Sequence, residues 1–276
     1  MTSRGTTAGP VEVVQDAGSA LTRTAPYEWL ARAGFVARGL IYGIIGVLAV
    51  RLAVGLGGKT TNQQGALRTI AHQPFGRALV LIMAIGLGGY ALWRLVRAAV
   101  GQGGDTTLDR VSALASGLVY GGMCVVAVKL LVGAKPTTAT NPHKATAGVF
   151  GWPAGTWLVG IAGAILIGVG LYQGYRGLSR DFLEDSKTEQ MSPPVRQWFV
   201  RLGVFGYLAR MVVFGLIGVF LIKAARDFNA KAAIGLDGAL AKLAHQSYGH
   251  LLLGIVAVGL IAFAVYSLAD ARYRRI

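Results

Sequence analysis

The sequence predicts an all-α polytopic membrane protein: six transmembrane helices forming three tandem helical hairpins, in a pseudo-threefold arrangement about an axis along the bilayer normal. Three observations predict it. The block Arg38-Gly-Leu-Ile-Tyr-Gly43 returns as Ser116-Gly-Leu-Val-Tyr-Gly121 and as Arg210-Met-Val-Val-Phe-Gly215. Shifts of 78 and 172 residues superimpose the glycines (Gly43, Gly121, Gly215), the rings (Tyr42, Tyr120, Phe214) and the cations that close each apolar run (Arg51, Lys129, Lys223). A repeat of this kind is the structural unit and is read before any single residue. Secondly, 54% of the 276 residues are hydrophobic and 14% charged, whereas a soluble domain carries about 25% charged residues. Thirdly, each repeat holds two apolar segments long enough to cross a bilayer, so each copy returns the chain to the side it started from, and the copies are parallel.

Residues 1–28 are rich in Thr, Gly, Ala and Ser, lack the apolar core of a signal peptide, and read as a mobile polar tail. Hairpin repeat one covers 29–106, repeat two with its following linker 107–197, and repeat three 198–276. The expected spans are Phe35 to Gly55, Ala78 to Leu95, Ser112 to Val132, Gly155 to Tyr175, Leu202 to Ala224 and His250 to Leu268. Between the spans of the first and third hairpins, Gly65 to Gly76 and Gly238 to Gly249 share a pattern whose apolar spacing suggests a short amphipathic helix on the membrane surface. The middle connection, with Pro136, Pro142 and Pro153, has lost that pattern. Gly39/Gly43/Gly46, Gly117/Gly121 and Gly215/Gly218 give one face of each first helix the small-residue spacing that lets helices touch.

The net charge of +15 would point to nucleic acid in a soluble protein. Here the basic residues gather where segments meet their loops, as bilayer headgroups require, and no nucleic-acid partner is expected. Of the 27 Lys and Arg, 16 fall on the side holding the termini and 11 on the other, which favours cytoplasmic termini. The lone Cys124 excludes an intrachain disulfide and a cysteine-rich metal site.

The segment Gly34-Phe-Val-Ala-Arg-Gly-Leu-Ile-Tyr-Gly43, repeated three times in a six-span chain, resembles the bacterial membrane family known as domain of unknown function 1206. The resemblance covers nearly everything from Trp29 onwards. Its Gly-Phe-x-Ala-Arg-Gly-x-x-Tyr signature is clear in repeat one, eroded in repeat two, where Ser116 replaces the Arg, and partial in repeat three. It implies a bacterial integral-membrane protein of three paired spans, and it implies no activity.

Charges inside the apolar segments are the candidate functional groups, because intramembrane charge costs several kcal/mol. Arg38 and Arg51 are 13 residues apart, about 20 Å of helical rise, and Arg210 and Lys223 repeat the spacing. On the helical wheel the two members of each pair diverge by about 140°. The expectation is that Arg38 and Arg210 face between hairpins, while Arg51, Lys129 and Lys223 meet headgroups or an outer vestibule. In the second spans Tyr90, Tyr172 and Tyr266 align, with Arg94, Arg176 and Asp270 one turn on. Arg94 and Arg176 join the candidate lipid- or anion-contacting set. Asp270, a carboxylate where the other repeats carry Arg, is expected to form an intramembrane salt bridge with Arg210 or Arg38.

The acidic stretch 180–190 reads as a solvated linker, or as a cytoplasmic docking point made by Phe182, Leu183, Glu184 and Asp185. His72 and His245 hold equivalent places, but neither a metal-ligand spacing nor a histidine deep in a span accompanies them, and no cofactor is expected. Ser-His-Asp groupings, GxSxG and phosphate-binding glycine loops are also missing. The expected function is therefore that of a non-enzymatic protein of the bacterial cytoplasmic membrane, a structural or accessory subunit binding membrane lipids, a membrane protein complex or further copies of itself. The alternative is a transporter or channel for small solutes, ions or lipid, using the centre of the bundle.

Overall fold

The computed structural model describes residues 25–56, 60–71, 76–101, 107–133 and 142–275. The tail expected over 1–28 falls outside them up to position 24, as does His72. The described residues form nine α-helices: α1 Ala25–Ala53, α2 Gln63–Ala71, α3 Gly76–Val100, α4 Thr107–Leu131, α5 Pro142–Phe150, α6 Gly155–Ser179, α7 Pro193–Arg226, α8 Leu236–Ala244 and α9 Gly249–Tyr273. Six of them, α1, α3, α4, α6, α7 and α9, are long and apolar enough to cross a membrane. They coincide with the six segments read from the sequence and most run further at one end or both, although α1 and α4 stop two residues and one residue short of the expected Gly55 and Val132. In α7 the extension is largest: its 34 residues rise about 51 Å, and Pro193 at the first turn presets the helical φ where no intrahelical N–H is needed.

Each second helix packs most extensively on the first helix of the following repeat: α3 on α4, α6 on α7 and α9 on α1. Glycines make these contacts possible. A Cβ added at Gly39 would lie 2.9 Å from Leu268, one at Gly117 2.8 Å from Leu95, and one at Gly218 2.6 Å from the Gly163 carbonyl oxygen. Backbone-close crossings of this kind gain packing where lipid tails remove the hydrophobic drive.

Helices of one hairpin also pack together in repeats one and three. Gly34 meets Tyr90 and Gly86 meets Ala33 between α1 and α3, while Gly206 meets Phe263 and Gly259 meets Ala209 between α7 and α9. The middle hairpin differs, because no such interface joins α4 to α6 among the described residues. The spans therefore follow one another as α4, α3, α1, α9, α7, α6, in an arc whose two ends belong to the same hairpin.

Two expectations about connections are corrected. The middle hairpin has a short helix too, α5, although its connection lacks the shared pattern, and it leans on repeat three: Phe150 stacks on Phe228 at 4.9 Å, and Thr146 is buried. The acidic linker is folded as well. After Arg180 reverses the chain with φ 63°, the 3-10 turns Asp181–Leu183 and Thr188–Gln190 bring Ser186 into an antiparallel bridge with Arg274. Lys187 N–H donates to the Tyr273 carbonyl at 2.7 Å, and Arg275 N–H donates to the Asp185 carbonyl at 2.9 Å. The end of the chain thus straps the linker down, beside the start of α1, where Arg32 donates to the carbonyls of Ala271 and Arg272.

Candidate functional site

The signature faces of the three first helices turn towards one another. Positions 38, 42 and 45 of α1, with their equivalents Ser116, Tyr120 and Met123 on α4 and Arg210, Phe214 and Ile217 on α7, recur at i, i+4 and i+7, which is one face of a helix. Tyr42, Tyr120, Met123 and Ile217 pack on one apolar core with Ile45. The two signature arginines stand among rings and meet opposite fates.

Arg38 is neutralised. Its Nε lies 3.2 Å from Ser267 Oγ and its Nη2 3.5 Å from Asp270 Oδ2, and the guanidinium lies over the rings of Phe35 and Phe263. Asp270 is fully buried, accepts from Ser186 Oγ at 3.1 Å, and also faces Arg274 at 3.4 Å. Arg274 reaches on to Asp185 at 3.1 Å, and Asp185 pairs in turn with Arg176. The result is a chain of alternating charge, Arg38, Asp270, Arg274, Asp185, Arg176, which ties α1, α9, the linker and α6 together at the face that holds both ends of the described chain.

Among the described residues Arg210 has no such partner. Its guanidinium sits over Phe263 at 4.5 Å, Phe214 at 5.4 Å and Tyr42 at 5.6 Å. Its Nε is buried without a hydrogen-bond acceptor among the described residues. The repeat explains the difference. Arg38 draws its counter-ion from α9, the helix that packs on α1; the helix that packs on α7 in the same way is α6, which carries Arg176 at the place of Asp270.

The remaining candidate residues sit as follows. Arg51 and Lys223 are exposed at the helix ends, and Lys129 is half-buried at the end of α4. Half-buried Arg94 donates from Nε to the Tyr90 hydroxyl at 3.1 Å and lies over Trp93. Docking through Phe182 is corrected: this ring is fully buried, stacked on Tyr207 at 5.3 Å and set edge-on against Tyr266, so it plugs the bundle. Leu183 and Asp185 are half-buried, and only Glu184 of the four is well exposed. Sequence reasoning missed Ser186, Ser267 and Arg274. Arg274 carried a usable signal, since it stands one turn beyond Asp270.

The opening of the middle hairpin is visible in equivalent residues. Tyr90 and Tyr266 are 5% and 0% exposed, whereas Tyr172 is 60% exposed. Met83 is 2% exposed and its equivalent Ile165 59%. Gly86 is pressed on Ala33, while a Cβ at Gly168 would meet nothing within 4 Å. On the facing helix, Gly34, Ala37 and Ile41 are buried, but their equivalents Ser112, Ala115 and Val119 are exposed.

Six membrane-spanning helices in three copies of a two-span unit, with basic and aromatic signature residues facing inwards, define a class of integral membrane protein built by internal triplication. The family described as Domain of Unknown Function (DUF1206) matches three times, at residues 33–101, 111–180 and 205–274, and the chain belongs to it. "Uncharacterized protein YxxB" of Bacillus subtilis (strain 168) is 32% identical over 248 residues, covering 88% of this chain and 90% of that protein. No solved structure matches.

Proposed function

We propose that this is a non-enzymatic, lipid-binding protein of the bacterial cytoplasmic membrane, with cytoplasmic termini, that serves as a structural or accessory subunit. The observation that carries this reading is the pair of exposed faces on α4 and α6, whose equivalents in the other two hairpins bury each other. Val119, Ile165 and Tyr172 offer an apolar surface in the plane of the bilayer, where acyl chains are the available solvent. Exposed Arg51 and Lys223 at one level and half-buried Arg94 at the other suit anionic headgroups. The test is a photoreactive side chain placed at Ile165 or at Met83 of the full-length protein in native membranes. Phospholipid adducts at Ile165, with protein adducts alone at Met83, are expected. An intrachain adduct from Ile165 to α4 would sink the reading.

A second reading, a transporter or channel, is favoured by one observation: Arg210 stands within the α7 span with no carboxylate beside it among the described residues. Flux of anions or lipid into proteoliposomes, lost on substituting Arg210, would favour it.

A further inference from the structure

We propose that Arg210 binds the anionic headgroup of a membrane phospholipid whose acyl chains lie between α4 and α6. The proposal rests on the lipid-binding reading above and gives it a ligand class and a contact residue.

The first support is the missing counter-ion. Arg38 and Arg210 are the same residue of the repeat, and the protein neutralises the first with Asp270 while leaving the second beside a helix that carries Arg176. Arg176 is itself engaged by Asp185. Rings at 4.5, 5.4 and 5.6 Å stabilise the Arg210 charge through their faces, but among the described residues its buried Nε finds no acceptor. A guanidinium placed this way calls for an oxyanion, and a phosphate accepts two parallel N–H donors from it.

Depth is the second support. Arg210 and Arg38 lie over the same Phe263 ring, 4.5 and 5.2 Å from its centroid, so Arg210 stands near the level of the ion-pair chain at the face that holds both ends of the described chain, within reach of a headgroup from that side. Access is the third. Tyr42, under the Arg210 guanidinium, and Tyr120 on α4 pack on one apolar core, and beyond them the α4 and α6 faces are exposed rather than paired. A ligand entering here must be apolar along most of its length and anionic at one end.

The test uses the full-length protein in detergent, with native mass spectrometry counting bound phosphatidylglycerol against phosphatidylcholine. The wild type is expected to prefer phosphatidylglycerol by about tenfold or more, the scale of one charge-assisted contact. Arg210→Met removes the preference, Arg210→Lys keeps part of it, and Arg226→Gln, at the exposed end of α7 beside Asp227, leaves it unchanged. Gly168→Trp, which fills the opening, lowers retention of both lipids. Retention equal to wild type in Arg210→Met, together with a loss in Gly168→Trp, overturns the headgroup assignment and leaves the opening as a lipid site. Unchanged retention in both variants overturns the opening as well. Displacement of phosphatidylglycerol by inorganic phosphate alone shows a free-anion site and overturns the assignment to lipid. Circular dichroism of Arg210→Lys and Arg210→Met guards against misfolding, and a preference lost in a folded Arg210→Met supports the proposal.

Discussion

Asp270 Oδ2 lies 3.5 Å from the Arg38 guanidinium, and the carboxylate is wholly enclosed. No carboxylate occupies the corresponding place beside Arg210 among the described residues. Two residues of identical type and repeat register therefore sit in opposite electrostatic conditions, and their substitutions diverge.

Asp270→Ala strands Arg38 and Arg274 in a buried setting and is expected to cost about 3 kcal/mol or more. Arg210→Met breaks no ion pair and keeps an apolar, flexible side chain among Phe263, Phe214 and Tyr42, so stability should fall by less than about 1 kcal/mol. Thermal unfolding in detergent compares them; equal losses would mean the buried pair is not the stabilising element.

Ala33→Cys with Gly86→Cys should form a disulfide in a Cys124→Ser background, a crowded one because a Cβ at Gly86 lies 3.2 Å from that of Ala33, inside the usual separation of about 3.5–4.5 Å. The equivalent pair, Val111→Cys with Gly168→Cys, should stay reduced. A fast cross-link at the second pair would show that the middle hairpin closes like the first.

Bulk tells the same two sites apart. Gly86→Val drives a side chain into the Ala33 backbone, 2.9 Å away, and is expected to cost about 1–3 kcal/mol, while Gly168→Val enters open space and should change stability by less than about 0.5 kcal/mol. Melting curves that rank them the other way would contradict the open hairpin.

Phe182→Ala empties a site lined by Phe199, Tyr207 and Tyr266, for a loss of about 3–5 kcal/mol. Limited proteolysis reads it out, as cleavage between 181 and 190 that the wild type resists. Resistance unchanged in Phe182→Ala would mean that the strap holds the linker without the plug.

At the strap, Glu189's own backbone N–H, and after it the Arg275 guanidinium, hold the Glu189 carboxyl below its ordinary range. A lowered folded-state pKa stabilises the strap above the unfolded carboxylate's value of about 4.3, and that contribution disappears as pH falls through the folded value. The protection factor of the Arg275 amide, taken against its intrinsic base-catalysed exchange rate, should fall in acid, and Glu189→Gln should remove that acid response. If it persists in the variant, Glu189 is not its source.

Spacing in the sequence carried the triplication, the six spans and the odd carboxylate among Arg94, Arg176 and Asp270. It was silent about the open hairpin for a physical reason. Ile165, Gly168 and Tyr172 are as apolar or small as Met83, Gly86 and Tyr90, and a bilayer solvates an apolar face as well as a neighbouring helix does. Periodicity records that a face is greasy, not what covers it. The linker misled in the opposite sense: Asp181, Glu184 and Asp185 suggested water, while the one ring among them, Phe182, was the residue that turned inwards.

Arg38 and Asp270 are separated by 232 positions along the chain. At ribosomal rates of roughly 5–20 residues per second, about 10–50 s pass between synthesis of the cation and synthesis of its mate. For that interval the first span either waits at the translocon, borrows an anionic lipid or stands shallow in the bilayer. Assembly of this fold is thus timed by α9, and a ribosome stalled before Asp270 leaves α1 without its counter-ion.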